Sequence, residues 1–180
     1  MASVVSGKLS QIKENEMNLD HLCATTATQL LESLKSVHPI NLKDAENFIS
    51  KSLAVLQHQG PFAFHLYLLS RADAPSDRNF VRPLFQCVLS LAPAGTPAKA
   101  GSSMRITFLP QAPAILPSSS SFSALERSKV TKFFLELGAL PLHRLLFTRQ
   151  VLIQQITYAL YLVRAERKLG QSADETVAAP

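Results

Sequence analysis

Groups that carry covalent or metal chemistry are scarce in this chain. Its 180 residues hold two cysteines and five histidines. Cys23 and Cys87 stand far apart in apolar, helical contexts. They read as buried free thiols, with a single disulfide as the alternative. His21, His38, His58, His65 and His143 are scattered, and no pair has helical ligand spacing beside a carboxylate, so no metal and no cofactor is expected. His65, on an apolar helix, reads as a hydrogen-bonded core histidine. His58, near Gly60 and Lys51, reads as a surface group or an anion contact.

Acidic residues are few as well, 13 against 18 lysines and arginines. Asp44 and Glu46 fall at a helix start, where the dipole accounts for them, and Asp73 and Asp77 fall in a turn. No pair of carboxylates is specified to face across a cleft, as glycoside hydrolysis requires. A glycine-rich phosphate loop and a nucleophile elbow are both missing. These absences argue against an enzyme.

Long hydrophobic runs are also missing. The longest, Pro61–Leu69, is interrupted by His65 and is too short for a bilayer. The first residues, MASVVSGKLSQIKENEMN, have no apolar signal-peptide core. No membrane contact and a cytoplasmic location are expected.

What the chain does have is apolar helix. Hydrophobic residues make up 47% and charged ones 17%, a balance that leaves apolar surface for partners to cover. The expected fold is all-α: one bundle of five or six helices over residues 18–170. A flexible N-terminus (1–17), an irregular insertion (92–121) and a flexible tail (171–180) complete it.

Asn18 or Asp20 can cap a first helix to about Lys35, closed at His38–Pro39. Its apolar positions are Leu19, Leu22, Cys23, Leu30, Leu31 and Leu34. Asn41 caps a second helix, with Ala45, Phe48, Ile49, Ser52, Leu53, Val55 and Leu56 inward and a stop at Gly60–Pro61. A third, Phe62–Ser70, is apolar on nearly every side, as in a bundle centre or beneath a partner. Pro83 suits the start of a helix over Pro83–Leu91. The insertion, rich in proline, glycine, alanine and serine, contains MRITFL, which suits a short strand or hairpin. Ser123 and Glu126 have capping-box spacing for a helix that Gly138 stops.

The last helix follows the LGALP break. Leu145, Leu152, Ile156, Ala159 and Val163 form its apolar arc. Gln150, Gln154, Thr157, Tyr161, Arg164 and Lys168 lie opposite. Basic residues collect in three groups: Arg71, Arg78 and Arg82; Arg127, Lys129 and Lys132; and the last helix. Each is explained by solvated surface, and together they would form a face able to meet phosphates without reading bases.

Two stretches, FISKSLAVLQHQGPFAFHLYLLSR and LHRLLFTRQVLIQQITYALYLVRAERKL, resemble the small all-helical subunit of type III (Cmr-type) CRISPR effectors, RNA-guided antiviral ribonucleoproteins. That resemblance implies a non-catalytic subunit lining the guide–target channel, with RNA, larger effector subunits and copies of itself as partners. It implies backbone contacts from Lys51, Arg144, Arg149, Arg164, Arg167 and Lys168. The 92–121 insertion is not part of that compact pattern. The rival expectation is a helical adaptor that binds only another protein, its basic residues being plain surface.

Overall fold

The computed structural model describes residues 18–36, 41–93, 106, 108–113 and 122–177, with side chains to 171. The described residues form five helices: α1 (Leu19–Ser36), α2 (Leu42–Arg71), α3 (Arg78–Leu89), α4 (Ala124–Gly138) and α5 (Leu142–Val177). The all-α expectation holds, and there is no strand among the described residues. No described helix is long and apolar enough to cross a membrane.

Local chemistry sets most helix ends. Asn18 accepts from the His21 amide at 3.0 Å and starts α1; His38–Pro39 lies outside the described residues. Asn41 accepts from Lys43 N at 3.0 Å and starts α2. Ser123 and Glu126 form the full reciprocal capping box of α4.

Three expectations are corrected. The helix expected over Pro83–Leu91 is α3, which starts at Arg78 and holds Pro83 inside it. Gly138 is the last residue of α4 rather than a left-handed stop. The following residue, Ala139, is still right-handed, with φ −83°. Pro141 then accepts from the Arg144 and Leu145 amides and opens α5. The helix of α5 runs on past residue 170 to Val177.

The expected break at Gly60–Pro61 sits inside α2, where Gly60 takes φ 87° and ψ −178°. That conformation is open to glycine and strained for other residues. The two arms of α2 fold back on each other there, which brings the Phe48 and Tyr67 rings to 6.2 Å. Pro61 has no amide hydrogen, so the carbonyl four residues earlier, on Gln57, loses its helical donor.

α5 packs chiefly on α1 and α2. Lys35 meets Glu166 at 2.5 Å, and Gln154 reaches Asp20 at 3.0 Å, so α1 and α5 run parallel. Arg164 meets Glu46 while Arg149 meets Gln57, so the first arm of α2 runs antiparallel to α5. The core includes Leu22, Leu34, Phe48, Leu56, Phe64, Phe85, Phe134, Leu152, Ile156 and Val163. Described parts of the 92–121 insertion join it. Ile106 and Leu109 are buried, and Ile106 N donates to Leu91 O at 2.9 Å. In place of the expected strand, residues 108–109 form a turn and bend.

Candidate functional site

The six cations singled out in the sequence do not converge. Arg144 and Lys168 lie 24 positions apart on one helix, about 36 Å at 1.5 Å per residue. Arg164 Nε donates to Glu46 Oε1 at 2.8 Å, and Arg167 Nη1 lies 3.1 Å from Glu46 Oε2. Both cations therefore brace α5 against the first turns of α2. Arg149 donates from Nη2 to the Gln57 carbonyl, the acceptor left open by Pro61. Its role is to cap the broken α2. Arg144 lies over the Phe108 ring, 5.5 Å from its centroid. Lys51 is exposed, and Lys168 is exposed at the far end of α5.

Lys51 borders a cavity of about 390 Å³ between the two arms of α2 and the start of α3. Asp44, Asn47, Tyr67, Arg71, Ser76 and Asp77 line it with Phe48 and Phe80. Arg71 is 3.5 Å from Asp77 and lies over Tyr67. Ser76 donates to Asp77 at 2.9 Å, and no imidazole lines the cavity to activate its hydroxyl. Two cations and two carboxylates balance, so the cavity has no net demand for an anion.

The basic group Arg71, Arg78 and Arg82 does not form one surface. Arg82 is buried and gives Glu126 two hydrogen bonds, at 3.0 and 3.4 Å. Its guanidinium also covers the Phe122 ring at 4.5 Å. The Arg82 bonds, with those from Ser123 and against the opposing effect of burial, hold the Glu126 carboxyl down at about 2.

Three further titratable groups, Cys23, Cys87 and His65, are structural as well. Cys23 and Cys87 are free and buried. Burial pushes the Cys23 thiol up to about 11 and the Cys87 thiol higher, so neither supplies a thiolate. His65 is fully buried, with Nε2 3.1 Å from Thr131 Oγ1 and its ring stacked on Phe134 at 4.8 Å. Burial lowers it to about 4, which matches the core-histidine reading. Gln155, unremarked in the sequence, is buried and donates to Thr26 Oγ1 at 2.8 Å and to the Cys87 carbonyl at 2.7 Å. Among the described residues no cluster of three or more His, Cys, Asp or Glu could hold a metal.

The sequence pointed to the apolar helix that begins at Phe62 as a partner contact, but not to the leucines of α4 and α5 that form an apolar surface with Phe62 at one end of the bundle. The Gly60 turn, the end of α4 and the start of α5 meet there. Arg149 bonds beside that turn, Phe62 and Phe134 both lie against His65, and Ala139–Pro141 link α4 to α5. This end exposes Phe62 by 41%, Leu135 by 57%, Leu142 by 70% and Leu146 by 52%. One sign was present in the sequence: at 100° per residue, Leu146 projects with Gln150 rather than with Ile156. No protein family, curated protein or solved structure matches the chain.

Proposed function

We propose that this chain is a non-catalytic helical adaptor that docks on another protein with the Phe62–Leu146 end of its bundle. The supporting observation is the group of large apolar side chains left in solvent where three helix ends meet. Contiguous exposed apolar patches rimmed by polar residues mark protein-interaction sites. The groups that might do chemistry are accounted for elsewhere: protonated buried thiols, a histidine wedged among rings, and carboxylates held by arginines.

The small-subunit reading keeps one specific support. Lys51 and Arg144 have no carboxylate within salt-bridge distance among the described residues. Arg149, Arg164 and Arg167 are already occupied within the chain, which leaves fewer groups to hold a guide–target backbone.

Affinity purification of the tagged full chain from its native cell separates the readings, with Leu142→Glu/Leu146→Glu run beside wild type. The expected result is a protein partner without RNA, lost from the double variant, whose circular dichroism and melting stay at wild-type values. Partner recovery unchanged by the double variant would remove this surface from the reading. Large subunits with short uniform RNA, lost from a Lys51→Glu/Arg144→Glu variant, would establish the effector reading instead.

A further inference from the structure

The charges around the same end suggest what kind of partner fits it. Between Glu46 and Asp73, and again between Glu136 and Glu166, the chain contains no acidic residue. The structure packs these two acid-free stretches together as most of α2 and most of α5. Phe62, Leu142 and Leu146 all belong to them.

The ionisable groups near the patch are mostly basic. His58, His143 and Arg144 are exposed, and Arg144 rests on a ring rather than a carboxylate. The carboxylate at the end of α4, Glu136, is 3.8 Å from Lys132. No sheet edge is present among the described residues to accept an added strand. Leu142 and Leu146 make an i, i+4 ridge of the kind that packs against another helix.

We infer, on the basis of the adaptor reading, that the partner segment is an amphipathic helix with an aliphatic face and acidic flanks. Its aliphatic face covers Phe62, Leu142 and Leu146, and its carboxylates lie near Arg144. Complementary charge of this sort speeds encounter and sets register, while the apolar contact holds the complex. A nucleic acid would meet the arginine but leave the leucines in water, so protein is the better fit.

Two synthetic helical peptides test this. They share one leucine face, and one is flanked by glutamates and the other by lysines. Fluorescence anisotropy of each is read with the full-length chain. The glutamate peptide is expected to bind about tenfold more tightly at low salt. The preference should collapse at about 1 M salt, where screening acts within about 3 Å. Arg144→Glu should remove the preference, and Leu142→Glu/Leu146→Glu should remove binding of both peptides.

Equal affinities that still depend on the leucines would overturn the acidic flank and leave the adaptor reading standing. Binding of either peptide that ignores the leucine substitutions, or no binding at all, would overturn the surface itself. Tighter binding of an RNA oligonucleotide, or of phosphatidylserine vesicles, than of the glutamate peptide would replace the protein partner with a polyanion or a membrane.

Discussion

At the residue scale two buried titratable groups give the chain a pH dependence with a definite sign. His65 is held at about 4, below the ordinary value near 6.5 that it regains on unfolding. Between those values the unfolded chain binds the proton and the folded chain does not, so stability falls as pH drops from about 6.5 to 4. The loss is bounded at about 3 kcal/mol. His65→Phe should flatten urea midpoints over that window. Glu126 works in the next one: its carboxyl is held at about 2, so its contribution is present above about 4.5 and is lost as pH falls towards 2. Glu126→Gln removes the carboxylate beneath the buried Arg82. It should cost about 3–5 kcal/mol in urea unfolding at neutral pH.

At the scale of the element, α2 is the part that needs support. Its break strands the Gln57 carbonyl, and Arg149 reaches across from α5 to take it. Arg149→Met should therefore lower stability by only about 0.5–1.5 kcal/mol in urea unfolding, because the Gln57 acceptor is exposed and water can take the place of the lost donor. A Cβ at Gly60 would meet nothing within 4 Å, so Gly60→Ala isolates the backbone cost. At φ 87° that cost is about 1–3 kcal/mol, read as a lower thermal midpoint with the helical spectrum retained. Similar support explains the basic end of α5. Reversing the charge of Arg164 and Arg167 would repel Glu46 and loosen α5 from α2, so those variants confound any binding test. Lys51→Glu and Arg144→Glu probe charge without breaking an ion pair.

For the whole molecule, stability and binding should separate. The core runs through all five helices, whereas Leu142 and Leu146 stand largely outside it. Glutamate at both positions is expected to change unfolding free energy by no more than about 0.5 kcal/mol, as at ordinary surface sites, while abolishing partner capture. A large fall in the urea midpoint would instead place these leucines in the core. Near-neutral stability with lost binding is the outcome that distinguishes a docking surface from packing.

Much of the fold was legible because helix rules act over three or four residues. The caps at Asn18, Asn41 and Ser123, the break at Gly60–Pro61, and the inward stripes of α1, α2 and α5 all follow from neighbours along the chain. The roles of the cations did not follow, because each is decided by a partner remote in sequence. Glu46 and Arg164 are 118 positions apart, and Gln57 and Arg149 are 92 apart. Arg82 belongs to a basic cluster in the sequence and to the core in space, because Glu126 is brought to it from α4. The apolar end was hidden for the opposite reason. Its leucines look like any others in a helical run until the bundle closes without covering them. By itself the sequence determined an all-helical chain with few chemical groups. Tertiary packing decided which of its charges are braces and which of its apolar side chains remain available to a partner.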